Sequence, residues 1–330
     1  MAALALANAG HMPSYGTDIL CDQAIALFRK HFSEQSEIFF VFNGTAANVL
    51  ILRAMTESFN AIICSQSSHI HVDECGAPEL FTGCKVHALP TADGKICPQQ
   101  IKELLIRFGD QHFSQPKVIS ITQPTEVGTV YSCDEIQAIC KLAHAHQMFV
   151  HVDGARIANA AVHLEVDFKT MLVDTGVDAV SFGGTKNGLM FGEAIILLNP
   201  LLAKNFTFIR KQGLNLPSKS RFIAAQFIRY WSDGLWKDIA SHSTGMAKLL
   251  AASIADIEGI EITQPVQSNG VFALIPKHWI KALRKEYFFY IWDELTFEAR
   301  LMCSFDTEES DIHNFTELLR EQSRKDKKNE

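Results

Sequence analysis

The sequence predicts an α/β fold: a large domain with a mostly parallel central sheet flanked by helices, then a small C-terminal α+β domain. Three observations lead there. Short apolar runs at 38–42, 61–64, 117–122 and 148–152 alternate with segments of helical period. The strand at 117–122, the helix at 134–146 and the strand at 148–152 have the spacing of a βαβ unit, whose right-handed crossover makes its strands parallel. Beyond Gly234 the pattern changes to short strands around helical stretches. The 330 residues, 47% apolar and 20% charged, can bury a sizeable core, and the expected division is 1–235 and 236–330.

Taken in order, residues 2–9 read as an Ala/Leu helix, and the loop 11–18 carries Pro13 and Gly16 as breakers. Ile25, Phe28 and Phe32 then mark one face of a helix over 22–32. The strand 38–42 runs directly into Asn43-Gly44-Thr45-Ala46-Ala47-Asn48, with helix continuing to Met55. A turn of this kind offers free backbone N–H groups at a positive helix end, which suits phosphate; Thr45 capping its own helix is the plainer reading. The strand 61–64 leads into a polar segment, 67–76, that carries His69 and His71. A strand at 85–89, a turn at 92–95 and a helix at 98–108 with Pro98 in its first turn follow. Ser132 and Glu135 form a capping box opening the helix 134–146. A second apolar run ends before Lys186, and 193–198 is strand-like. Helices are expected at 201–212 and from Arg221 toward Met246. In the last third, strands are expected at 260–263, 271–275, 288–292 and 298–305, and Ile312, Phe315, Leu318 and Leu319 form one face of a final helix.

Composition excludes several classes. A formal charge of −7 gives no nucleic-acid footprint, and the one basic run, Arg324–Lys328, reads as a frayed, solvated tail. No apolar run reaches the length of a membrane span, and residues 1–9 lack the basic flank of a signal peptide. Eight cysteines without a C-x-x-C pair read as reduced thiols, expected in the cytoplasm. Thirteen histidines show no metal-ligand spacing, so no metal is expected.

The chemistry converges on strand ends. The run FVHVDGAR places Asp153 at the end of one strand, and VSFGGTKNG places Lys186 just past another. An acid and a lysine meeting across one pocket suit pyridoxal phosphate (PLP). The acid keeps the ring nitrogen protonated and the ring electron-accepting. The lysine, beside a cationic ring in a partly dry pocket, becomes a neutral amine nucleophile. Gly44, Thr45 and Ala46 offer the phosphate a helix end, Thr185 a hydroxyl, and His69 a ring-stacking partner. Each feature has an ordinary reading alone, a turn aspartate or a surface lysine; the four strand-end motifs in this order are far harder to produce by chance.

NGTAAN (43–48), SSHIHVDECGAP (67–78), HVDGARIANA (151–160), SFGGTKNGLMFGEA (181–194) and ARLMCSFDT (299–307) together resemble the low-specificity L-threonine aldolases, PLP enzymes of fold type I. The resemblance covers residues 13–315. It implies Lys186 as the Schiff-base lysine, Asp153 as the pyridine partner, Gly44 and Thr45 as phosphate binders, and His69 stacked on the ring. It implies Arg156 and Arg300 as the clamp on the substrate carboxylate, where a planar guanidinium fixes direction bidentately. It implies cleavage of L-threonine or L-allo-threonine to glycine and an aldehyde, in a homotetramer built as a dimer of dimers. Tyr15, Lys211, Lys219 and Arg221 are then candidates for reaching a neighbour's pocket, Tyr15 toward substrate.

Two departures follow. Family members carry a Ser/Asp-containing segment ahead of the first helix whose serine helps bind the carboxylate, and here that segment is expected to be missing. A histidine of many members is replaced by Glu126, so either this carboxylate serves as the base, with its proton affinity raised by burial, or His69 or water does. The rivals are another fold type I lyase catalysing β-elimination and a catalytically impaired PLP-binding homologue.

Overall fold

The computed structural model describes residues 1–329. Seven strands form the large sheet: β1 (Glu37–Val41), β2 (Asn60–Ser65), β3 (Lys85–Leu89), β4 (Gln115–Thr122), β5 (Phe149–Gly154), β6 (Ala179–Phe182) and β7 (Glu193–Leu197). Their order is β1-β7-β6-β5-β4-β2-β3. The pairs β2–β3, β2–β4, β4–β5 and β5–β6 are parallel, while β7 runs antiparallel to both β6 and β1. The sheet is therefore mostly parallel, and it is buried on both faces, as parallel sheets require.

Alternation along each strand sorts side chains between two cores. On β2, Ile63 faces one core while Ile62 and Cys64 face the other. The first core holds an aromatic knot in which the Phe28 ring meets Phe182, Phe227 and Trp231 at 5.0–5.4 Å between centroids. Full burial of each such ring contributes about 1.5–3 kcal/mol. The second core is mainly aliphatic, with Leu50, Ile51, Val118 and Ile195.

The helix Gly44–Met55 begins three residues after β1 and crosses β5, β6 and β7. Its cap is the Asn43 side chain, which accepts from the Ala46 N–H at 2.9 Å. The alternative reading from sequence, with Thr45 as the cap, is thereby corrected: Asn43 has the extended backbone of an N-cap, and Thr45 already lies inside the helix. The Ser132–Glu135 capping box forms as expected. The predicted helix at 98–108 ends at Leu104, and that at 201–212 splits into a 3₁₀ turn, Pro200–Ala203, and a helix, Phe206–Gln212.

The helix Arg221–Trp231 ends at a kink where Asp233 and Gly234 both take positive φ, at 55° and 71°. The next helix, Leu235–Ile254, serves two units. Near its start Ala240, Ser243 and Thr244 bind Asn159 of the large domain, and further along Ala247, Leu250 and Ile254 enter a separate core around Trp279. We propose the kink as the division between units 1–235 and 236 onward.

The second unit is an antiparallel sheet of β8 (Glu261–Ile262), β9 (Gly270–Leu274), β10 (Tyr290–Asp293) and β11 (Glu298–Met302), ordered β10-β11-β9-β8. The final helix spans Glu309–Asn329, so the basic run is not a frayed tail. Asp326, amid those charges, accepts from the Trp279 indole at 2.8 Å, and Lys327 pairs with Glu258 at 2.7 Å. Anchoring by a buried tryptophan, which composition does not reveal, keeps these turns wound. Among the described residues no helix is long and apolar enough to cross a membrane.

The turn after β6 is packed backbone against backbone. A Cβ at Gly183 meets the Ala155 carbonyl oxygen at 2.1 Å, and one at Gly184 meets the Gly192 oxygen at 2.4 Å. Neither partner can rotate away. Gly183→Ala is expected to destabilise the fold by about 3 kcal/mol, read as a lowered chemical-denaturation midpoint; an unchanged midpoint contradicts this packing.

Candidate active site

The C-terminal ends of the parallel strands and the start of the 44–55 helix face one cavity of about 340 Å³. Thr122, Asp153 and Ser181 stand in register across β4, β5 and β6 at this edge. Ligands in open α/β sheets bind outside such carboxyl ends.

Asp153 is buried in the cavity floor at 4% exposure. Its Oδ1 accepts from the Ala155 N–H at 3.0 Å and its Oδ2 from the Asn48 amide at 2.9 Å. Lys186 sits in the 3₁₀ turn Thr185–Asn187 and lines the same cavity. Solvent reaches it through the open mouth while protein surrounds its other sides. Desolvation, followed by the nearby Arg156 guanidinium, lowers its pKa from the usual lysine range. Gly44 and Thr45 line the cavity at the helix start, and a Cβ on Gly44 would meet open space. Thr185 and His69 line it as well. Ala46 is not among the lining residues, and its N–H donates to the Asn43 side chain.

His69 opens a four-residue helix, His69–Val72, and its Nδ1 lies 2.9 Å from Glu74 Oε1. That hydrogen bond raises the imidazole pKa above its ordinary value, against the effect of burial. The same Glu74 oxygen accepts from the Asn48 amide at 2.8 Å. His69 Nδ1 and the Glu74 and Asp153 carboxylates thus lie within 4.8 Å of one another, with the Asn48 amide donating to both acids.

A narrower pocket of about 20 Å³ adjoins the cavity, sharing Glu126 and Ala155 with it. Here the large domain contributes Arg156 and the small sheet contributes Arg300 from β11. Arg300 is 3.7 Å from Glu126 and lies over the Trp292 ring at 4.9 Å. Among the described residues its buried Nε has no hydrogen-bond partner, nor does the buried Asn269 Oδ1 beside it. Burial, and then Arg300 itself, pulls the Arg156 guanidinium down to about 10. Two guanidiniums against one carboxylate leave this pocket suited to one more anion. Glu126 is 8% exposed, and burial, followed by the Asp153 charge, raises its pKa although Arg300 and Arg156 oppose this.

The structure therefore brings together Lys186, Asp153, His69, Glu126, Gly44, Thr45 and Thr185, with Arg156 and Arg300 alongside. Tyr15 lies elsewhere: it is 51% exposed in a loop at φ 64°, with the Lys211 ammonium 5.6 Å from its ring centre, so within this chain it does not touch the cavity. Sequence reading passed over three residues. Asn48 and Glu74 lie within quoted motifs, and a polar side chain in the apolar helix run 46–52 was the available signal. Glu193, a lone acid opening an apolar strand, lines the cavity and accepts the Gly184 N–H at 2.5 Å, holding the turn that carries Lys186. Burial pushes this carboxyl up to about 7.

A mostly parallel seven-stranded sheet with an acid at one strand end and a lysine past the next defines the PLP fold type I class. The model of the beta-eliminating lyase family matches residues 1–277. The low specificity L-threonine aldolase of Pseudomonas aeruginosa is 42% identical over 325 residues, covering 97% of this chain and 92% of that protein. That of Pseudomonas sp. strain NCIMB 10558 is 40% identical over 324 residues with the same coverage. The solved threonine aldolase of Leishmania major superposes with a TM-score of 0.91 at 31% identity, over 97% of this chain and 94% of that one. The chain belongs to the beta-eliminating lyase family, and within it to the low-specificity L-threonine aldolases.

Proposed function

We propose that this lyase is a PLP-dependent aldolase that cleaves L-threonine, L-allo-threonine or a related β-hydroxy-α-amino acid to glycine and an aldehyde. The observation that carries the reading is the placement of Lys186 and Asp153 on one cavity, with two guanidiniums in the pocket that adjoins it. The cofactor fits the residues present: the helix start at Gly44 and Thr45 is open toward the cavity, and among the described residues Arg300 Nε lacks a partner where a carboxylate is needed. When bound, the cofactor supplies a carbonyl that condenses with amines and a ring that accepts an electron pair.

The chain's residues supply the rest. Gly44, Thr45 and Thr185 hold the phosphate through N–H and hydroxyl groups. Asp153 holds a proton at the ring nitrogen. Lys186, its pKa lowered by desolvation, presents a neutral amine. Arg156 and Arg300 grip the substrate carboxylate from two domains, which fixes the direction of the Cα–Cβ bond. Glu126 accepts the proton of the β-hydroxyl as that bond breaks, and His69 covers the ring. Cα takes up one proton in place of the lost Cβ, matching the one given up by the β-hydroxyl, so one substrate molecule becomes one glycine and one aldehyde with no oxidant required.

Assembly and location belong to the same proposal. A homotetramer lets Tyr15, Lys211, Lys219 and Arg221 reach a neighbour's cavity. The eight cysteines, none in a disulfide, suit the cytoplasm. Identities of 40% and 42% to named threonine aldolases favour this reading over β-elimination or an impaired homologue.

The test is product analysis of the full chain with L-threonine and PLP. Equal amounts of glycine and acetaldehyde are expected. A 2-oxo acid with ammonia transfers the protein to the β-eliminating reaction, and no turnover despite cofactor binding supports the impaired homologue.

A further inference from the structure

We infer that Glu74 and Asn48 are positioning residues that join the His69 imidazole to the Asp153 carboxylate, so that two side chains facing the cofactor ring are held as one unit. The inference rests on reading the cavity as a cofactor site.

The four residues come from separate places in the fold. Asn48 is on the helix Gly44–Met55, His69 begins a short helix, Glu74 follows it, and Asp153 ends β5. They form one chain of contacts: His69 Nδ1 to Glu74 Oε1 at 2.9 Å, Asn48 Nδ2 to Glu74 Oε1 at 2.8 Å, and Asn48 Nδ2 to Asp153 Oδ2 at 2.9 Å. Asn48 is 1% exposed and Glu74 5%.

Donor and acceptor arithmetic gives the chain its direction. An ionised carboxylate only accepts, so both amide hydrogens of Asn48 are spent on the two acids. His69 Nδ1 must therefore carry a proton toward Glu74. In the neutral ring this leaves Nε2 as an acceptor; in the charged ring both nitrogens donate. Glu74 thus selects the tautomer and tilt of the imidazole, as outer residues do for metal-bound histidines. Asn48 keeps the Glu74 and Asp153 charges from facing each other unscreened in a dry site.

A purely structural brace fits the geometry less well. Glu74 Oε2 and Asn48 Oδ1 are both buried without hydrogen-bond partners among the described residues. Two orphaned acceptors in one small network are costly, which marks it as kept for geometry at the site rather than for stability. The charged groups facing His69 are Glu74, Glu126 and Asp153, with Lys186 on the same cavity. Glu74→Gln changes only the first of these and preserves shape.

The experiment uses the full chain, with and without added PLP. The His69 imidazole is titrated by NMR, assigned with His69→Gln, and the PLP dissociation constant is measured by fluorescence for Glu74→Gln, Asn48→Ala and the double variant. In Glu74→Gln the imidazole should titrate at lower pH, with proton affinity down about tenfold. Asn48→Ala should weaken PLP binding about tenfold. The double variant should lose less than the product of the single losses, because the first change already breaks the unit. An unchanged His69 titration in Glu74→Gln, or losses that simply multiply, overturns the inference. Wild-type protein that binds no PLP sinks the cofactor reading instead, while the titration still decides whether Glu74 controls His69. A melting-temperature drop alone, with titration and affinity unmoved, assigns the network to stability and rejects it as a positioning device.

Discussion

Lys186→Ala is expected to lower turnover of L-threonine by at least about 10⁴-fold, the scale on which enzymes lose rate when a covalent nucleophile is removed. The visible absorption that PLP acquires on the wild-type protein should be absent from the variant. Folding should survive, because Lys186 makes no hydrogen bond to the scaffold among the described residues and its turn is held instead by Glu193 and Asn187. The pH dependence has a definite sign. The amine acts when neutral, and burial with Arg156 lowers its pKa, so activity limited by this group rises as pH climbs through a value below the ordinary lysine range. The checks are absorption spectra with PLP and steady-state rates. A variant that keeps both the band and the rate removes Lys186 from the chemistry.

The second large effect is expected at Glu126. Glu126→Gln keeps the side chain's shape beside Arg300 but cannot accept a proton, and loss of a positioned base costs roughly 10²–10⁴ in kcat. Burial and the Asp153 charge raise the pKa of this carboxyl. The basic form is present above that raised value and is lost as pH falls through it, so the wild-type rate should decline on the acid side. The variant should show a low rate without that acid limb. KM should change less, since Arg156 and Arg300 still grip the substrate. A pH–rate profile of both proteins decides this. A variant with the wild-type limb and rate passes the base role to His69 or to water, and Glu74→Gln then separates those two, because it moves the limb only if His69 carries it.

The candidate site was legible in sequence to the extent that its parts are local. Asp153 and Lys186 could be named because each ends an apolar strand in a short motif, and Gly44 and Thr45 because a strand runs straight into a helix. Glu126 was found as a departure within a recognised loop. One helix start offers several N–H groups, and only the tertiary structure shows that Asn43 takes that of Ala46. The Asn48–Glu74 link and the grip of Glu193 on Gly184 went unseen because each joins residues from different elements.

The sequence alone thus determined the alternation of strands and helices, the mostly parallel sheet, the polar motifs at strand ends and the family. These follow from hydrophobic period, turn residues and short motifs, which act over a few neighbouring residues. Tertiary structure decided that β7 enters the sheet antiparallel, that Arg300 from the small sheet faces Arg156 and Glu126, that Tyr15 stands away from its own cavity, and that the basic C-terminal run is wound against Trp279. Those outcomes depend on which buried surfaces and unpaired polar groups find each other once distant segments pack, and no local pattern encodes that choice.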